Sequence, residues 1–150
     1  ATQGQGVQLL EFQAIRDSAN AKNADISTIV PYDIQIKVNP LSAPQLSAVG
    51  NSTFRMKVSY RLPGSSDAVL IGHTSPGSHL TINQLITGVS MSDNTLMQTN
   101  NYPVFQGLLA NPAYTQADII VEIVDVNPAL PAIESIQLDY TIRANAQVKL

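Results

Sequence analysis

The chain has 150 residues and a net charge of −3, and only 13% of its residues are charged, against about 25% in an average soluble domain. Its eight basic residues stand singly, and no apolar stretch approaches the roughly 20 residues that span a bilayer, so direct nucleic-acid binding and membrane insertion are not expected. Cysteine is absent, which excludes disulfides and thiolate metal sites, and the length predicts one domain over residues 1–150.

Neutral polar residues take the place of the missing charges. The chain contains 13 Ser, 10 Thr, 11 Asn and 12 Gln. A neutral polar surface costs less to desolvate than an ionic one, and depletion of charge marks the cores of protein interfaces. The composition therefore predicts a chain that packs against copies of itself, and the alternative with the same composition is a secreted domain.

The N-terminal third predicts two strands. Residues 1–6 carry Gly4 and Gly6 and predict an extended or flexible leader. A strand is then predicted over Gln8 to Arg16, with Leu10, Phe12 and Ala14 on one face and Val7, Leu9 and Ile15 on the other. Alternation from Tyr32 to Val38, between Pro31 and Asn39, predicts a second strand.

The middle of the chain predicts a hairpin. From Thr53 to Leu62 apolar and polar residues alternate without a break, and the turn residues of 63–67 follow. Ala68 to Ile71 is the predicted partner strand. A weaker strand is predicted over Leu80 to Ile86, a short helix within Val104 to Leu109, and a central strand over Ile119 to Val124.

The C-terminal segment has the clearest period of two in the sequence. Its polar residues fall on one face, and all its alternate residues are apolar, which predicts one unusually long antiparallel strand with one face on the core. These apolar positions, with two from the first strand, are the predicted assembly interface: Ile136, Leu138, Tyr140, Ile142, Ala144, Ala146, Val148, Leu150, Leu10 and Phe12.

About seven or eight predicted strands with frequent turn signals indicate an all-β fold. The expected architecture is an antiparallel β-sandwich of the Greek-key or jelly-roll type. Nothing in the pattern divides the chain into two domains.

The residues that could carry chemistry do not form a recognisable motif. His73 and His79 flank a turn, but a metal site needs at least one further protein ligand. Asp118, Glu122 and Asp125 are too few for a calcium loop and are expected at the ends and outer face of a strand. We therefore expect no enzyme, no metal site and no cofactor.

These observations predict a non-enzymatic structural subunit of a large self-assembling particle, such as a virus or phage capsid, spike or decoration protein. Its expected partners are copies of itself and other structural proteins of the same assembly, and its expected location is the virion or the cell exterior, in soluble form. Three alternatives stay open, and one of them is an enzyme whose site is assembled only in three dimensions. Another is an exported fimbrial or filament subunit linked by strand exchange. The third is a carbohydrate-binding or ligand-binding sandwich, which predicts a concave face lined by tyrosines.

Overall fold

The computed structural model describes residues 2–38, 53–127 and 138–149. Within them the chain is mostly β, with strands in two antiparallel sheets. The strands are β1 Thr2–Glu11, β2 Val30–Val38, β3 Thr53–Arg61, β4 Val69–Thr74, β5 Leu80–Thr81, β6 Val89–Ser90, β7 Met97–Thr99, β8 Gln116–Asn127 and β9 Leu138–Asn145. The helices are α1 Phe12–Ala21, α2 Ile82–Thr87 and α3 Tyr102–Ala110, with a 3-10 turn at Ile26–Thr28.

The two sheets fit a sandwich with one core between them. The large sheet has the strand order β1-β8-β3-β4-β7, with β5 added to the beginning of β3. The small sheet has the order β6-β2-β9. The core is filled by alternate residues of the central strands and by α3, whose Phe105 ring lies 5.6 Å from the Tyr60 ring of β3.

The predicted hairpin is confirmed. In β3, Phe54, Met56 and Val58 are buried between the sheets, while Arg55 and Lys57 lie on the outer face. Strand β4 pairs with β3 antiparallel, as expected from the turn residues between them. The alternation fixes which face of β3 is buried, because a shift of one residue would place charged side chains in the core.

The predicted strand over Gln8 to Arg16 is wrong beyond Glu11, because α1 begins at Phe12. Phe12, Ile15 and Ala19 recur with the spacing of one helix face and pack on the core. The segment predicted as a leader is also part of β1, which pairs with β8 from Thr2 onward. The expectation of an all-β chain was thus too strict.

The weak strand predicted over Leu80 to Ile86 is also wrong beyond Thr81. Thr81 caps α2, since its hydroxyl accepts from the Gln84 backbone while the Gln84 side chain accepts from the Thr81 backbone. This reciprocal capping box starts the helix at Ile82. The short helix predicted after Pro103 is confirmed as α3 and is slightly longer than expected.

A buried arginine fixes α1 to α3. Arg16 is 4% exposed and donates to the carbonyl oxygens of Leu109 at 2.8 Å, Leu108 at 3.2 Å and Asn111 at 2.7 Å. These carbonyls are at the C-terminal end of α3, where a helix leaves acceptors without partners and carries partial negative charge. The guanidinium therefore satisfies the end of one helix while holding the other in place.

Among the described helices, none is both long and apolar enough to cross a membrane.

Candidate assembly interface

The two sides of the sandwich differ in the length of their edge strands. On one side the sheets end in β1, with ten residues, and β9, with eight. On the other side they end in β6, with two residues, and β7, with three. Within the described part of the chain, β1 pairs only with β8, and β9 only with β2. Each long strand therefore has a second edge with which no other described strand pairs, on the same side of the molecule, and we call it the open edge.

An apolar groove of about 560 Å³ separates α1 from β9. Its walls are largely small residues, including Ala14 and Ala19 of α1 and Ala144 of β9 with the adjoining Ala146. Short side chains on both walls leave the space between the elements unfilled.

A second depression of about 190 Å³ continues the groove toward β1, where Leu9 and Leu10 line it. Ile15 of α1 and Ile142 of β9 line both spaces, so the groove runs from one long edge to the other. We call the two long edges and this groove the long-edge side.

Exposed apolar residues lie in the groove and on the outer face of β1, with Leu9 and Val148 lining the groove. Val7 and Leu9 of β1 are 52% and 48% exposed, and Val148 is 64% exposed. Val7 lies opposite Ile120 of β8 on the outer face of the large sheet. The long-edge side therefore presents apolar side chains as well as open backbone.

The alternation predicted for the C-terminal segment is confirmed in the region where exposure is described. Ile142, Ala144 and Ala146 are half-buried and pack on the core, whereas Thr141 and Arg143 are exposed. The strand itself is shorter than expected, because β9 ends at Asn145. Beyond Asn145, the Gln147 carbonyl accepts a hydrogen bond from the backbone N–H of Asp25, which precedes β2.

The remaining residues of the predicted interface have different positions. Val148 is exposed and forms an isolated bridge with Ala24. Ile136 and Leu150 lie outside the described residues, and for Leu138 and Tyr140 only the backbone, which belongs to β9, is described.

The two interface residues predicted near the N-terminus are separated by the start of α1. Leu10 is half-buried and lines the groove. Phe12 is 1% exposed and lies in the core, so its side chain is covered by the chain itself. Val7 and Leu9, on the opposite face of the predicted strand, are exposed. The spacing from Phe12 to Ala19 fits a helix face, but the apolar residues around Phe12 fit a strand face as well, so the sequence pattern did not locate the end of the strand.

The other candidate residues do not converge on a chemical site. Nδ1 of His73 lies 2.8 Å from the Thr74 carbonyl oxygen, and His79 is exposed. Asp118 forms an ion pair of 3.2 Å with Arg61 on the outer face of the large sheet. In the described ranges, no three His, Asp or Glu residues are placed to hold a metal ion.

The tyrosines do not share an exposed face. Tyr60 and Tyr102 belong to the core, and Tyr114 packs against it, whereas Tyr32 is 46% exposed. An aromatic platform for a sugar ring needs neighbouring exposed rings, which these four positions do not provide.

Comparisons with protein-family models, with curated proteins and with solved structures gave no match.

Proposed function

We propose that this protein is a non-enzymatic structural subunit of a large self-assembling particle, with a virion as its setting, and that its copies join through the long-edge side. One observation carries the proposal. Both long edge strands, β1 and β9, border the same apolar groove, while the opposite side of the sandwich ends in very short strands.

Open strand edges are the physical basis of the proposal. An unpaired edge presents a row of N–H and C=O groups that can pair with another chain. Proteins that remain monomeric suppress such pairing with charges, prolines or short edges. In β1 the one charged residue is Glu11, at the very end of the strand, and β9 has only Asp139 and Arg143.

The composition supports the same proposal. The surface is rich in Ser, Thr, Asn and Gln, so an interface that buries it loses few hydrated charges. Exposed Val7 and Leu9 add apolar area whose removal from water favours association by roughly 25 cal/mol per Å².

We also propose that the sandwich is of the Greek-key or jelly-roll type. The order along each sheet supports this, because β1 lies beside β8 and β2 lies beside β9. Such neighbours, distant in sequence, require long connections between the sheets, which these folds have.

Light scattering of the purified protein tests the proposed function. The wild type is expected to form a discrete assembly, and Leu9→Lys, which places a charge on the β1 edge, is expected to lower its mass. Val104→Lys is the matched control, because Val104 is 58% exposed on α3. This control is expected to assemble as the wild type does.

Electron microscopy of the assembly then separates the two settings. Closed shells would support a virion subunit, and linear polymers would support an exported filament subunit. A wild type that stays monomeric at every concentration would overturn the proposed function.

A further inference from the structure

The open edge of β9 has a definite hydrogen-bonding pattern. The Ile34 carbonyl of β2 accepts from the Met91 N–H at 2.9 Å, on the side of β2 away from β9. In an antiparallel strand, successive residues direct their backbone N–H and C=O to opposite neighbours. Gln35 therefore directs its groups to β9, where Thr141 lies opposite.

The same alternation continues into β9. Thr141 directs its N–H and C=O to β2, so its neighbours Tyr140 and Ile142 direct theirs to the open edge. Beyond the strand, the Asp25 N–H donates to the Gln147 carbonyl at 2.7 Å, on the β2 side as well. The opposite edge thus presents regularly spaced donors and acceptors.

The charges on the exposed face of β9 are self-complementary. Asp139, Thr141 and Arg143 alternate along this face, and all three are exposed. When two such strands run antiparallel with Thr141 opposite Thr141, Asp139 of each copy lies opposite Arg143 of the other. Unlike charges and paired threonines directly opposite each other are favourable cross-strand pairs.

We propose that β9 pairs with β9 of a second copy, antiparallel about a two-fold axis at Thr141. The pairing joins two small sheets into one continuous sheet in the order β6-β2-β9-β9-β2-β6. This inference rests on the proposed function, and it assigns β9 of a second copy as the partner of one of the two open edges. Because the same patch serves both copies, the contact closes on itself as a dimer.

The backbone geometry agrees with this register. Tyr140 of one copy and Ile142 of the other form the hydrogen-bonded pair, since both direct their backbone groups to the open edge. The two Thr141 residues form the non-hydrogen-bonded pair, whose Cα atoms lie about 4.5 Å apart. Residues Leu138 and Tyr140 of the second copy then lie opposite Ala144 and Ile142, next to the groove.

Other registers oppose fewer favourable groups. A pairing centred on Arg143 or Asp139 places like charges directly opposite each other. A pairing centred on Ala144 places Asp139 opposite Lys149, but Lys149 lies beyond the end of β9. In that register the two Thr141 residues also no longer lie opposite each other.

Single-cysteine cross-linking tests the register, because the chain has no cysteine of its own. Thr141→Cys is expected to form a disulfide-linked dimer under mild oxidation, since a pair of Cα atoms near 4.5 Å lies within the range that disulfides span. Asn145→Cys is the matched control on the same exposed face. In the proposed dimer, position 145 of one copy would lie roughly 27 Å along the strands from position 145 of the other copy.

The expected result is at least tenfold more cross-linked dimer for Thr141→Cys than for Asn145→Cys. Ala144→Cys distinguishes the competing register, in which the two Ala144 residues meet. Cross-linking of Ala144→Cys in place of Thr141→Cys would overturn the proposed axis.

Charge variants test the same pairing without oxidation. Arg143→Glu and Asp139→Lys each place like charges opposite each other twice in a homodimer, so each alone is expected to raise the dimer Kd at least tenfold. A mixture of the two variants restores both unlike pairs and is expected to form a heterodimer. Recovery on mixing also shows that both variants are folded.

The outcomes separate this inference from the proposed function. If the wild type assembles but neither Thr141→Cys nor the mixed variants give a dimer, the β9 pairing is wrong and assembly proceeds through β1. If the wild type is monomeric in light scattering and Thr141→Cys does not cross-link, both proposals fail.

Discussion

The two sides of the sandwich are held together by different contacts. On the side that ends in β6 and β7, which we call the short-edge side, residues 91–100 hydrogen-bond to both sheets. Met91 donates to Ile34 of the small sheet at 2.9 Å, and Asn100 donates to Ile71 of the large sheet at 3.0 Å. The Ser75 N–H also donates to the Leu96 carbonyl at 2.9 Å. On the long-edge side, α1 lies between the sheets and leaves a groove.

This difference shows how one side of a sandwich can have its strand backbone groups hydrogen-bonded within the described chain while the other side has long strand edges to which no described strand is paired. Residues 91–100 cross from the small sheet to the large sheet and donate to one strand of each, so backbone groups of β2 and β4 are satisfied within the chain. A helix such as α1 has its own internal hydrogen bonds, so it contributes side chains and leaves the strand edges without those partners. Substitutions on the short-edge side should therefore change stability, and substitutions of exposed residues on the long-edge side should change association.

The largest expected effect is the loss of the hydrogen bonds that Arg16 of α1 donates to the end of α3. Arg16→Met removes the guanidinium that donates to three carbonyl oxygens at the end of α3. These oxygens are buried or partly buried, and the substitution leaves them without this donor. We expect the free energy of unfolding to fall by about 3 kcal/mol, measured by urea denaturation. Lys22→Met is the control, since Lys22 is exposed just after α1. Equal stability of the two variants would contradict the role given to Arg16.

A smaller loss is expected for Thr74→Val on β4. The Thr74 hydroxyl is fully buried and accepts from the Met56 N–H at 2.9 Å, so valine leaves that donor unpaired. We expect a loss of about 1 to 3 kcal/mol in urea denaturation, with no change in the mass of the assembly.

Thr99→Val on β7 is the matched control for this substitution, because Thr99 is exposed. It should change stability by no more than about 0.5 kcal/mol. A Thr74→Val variant that keeps its stability but no longer assembles would reverse the assignment of the two sides.

Alkaline pH probes a buried phenol near the short-edge side. Burial, followed by the nearby Asp33 carboxylate, raises the pKa of Tyr102 to about 12. In the unfolded chain the tyrosine pKa is about 10, so between these values only the unfolded state loses the proton. Stability is therefore full below pH 10 and is lost as the pH rises toward 12, by about 1 to 2 kcal/mol in urea denaturation.

Tyr102→Phe separates this loss from other effects of alkali. The Tyr102 hydroxyl is buried and has no hydrogen-bond partner in the described part of the structure, so phenylalanine should match or slightly exceed the wild type near neutral pH. The variant should also lose less stability above pH 10. Some loss will remain, because burial also raises the pKa of Tyr60. An unchanged pH profile would contradict the assignment.

The smallest effect on stability is expected at the open edge. Leu9→Lys keeps its side chain on an exposed face, so the free energy of unfolding of the monomer should change by no more than about 0.5 kcal/mol. Thermal or urea unfolding under conditions that keep the chain monomeric gives this value. A large loss would mean that any weakened assembly of this variant reflects unfolding and not the edge itself.

The sequence by itself determined the strands with an unbroken period of two. Phe54 to Tyr60 and Ile142 to Ala146 alternate so regularly that the face packed on the core can be identified from the sequence, and this information is local. The turn after Leu62 likewise specified the hairpin, because its residues suit the backbone angles of a turn, as the φ of +80° at Gly64 shows.

Only the tertiary structure decided how the N-terminal segment divides into β1 and α1. The apolar residues around Phe12 suit a strand face as well as a helix face, and the buried position of Arg16 depends on carbonyl oxygens more than 90 residues away in the chain. The groove also depends on distant residues, since Ala14 and Ala144 become its opposite walls only when α1 and β9 pack side by side. Local pattern fixes the period of an element, but cavities and open edges arise from where elements far apart in sequence meet.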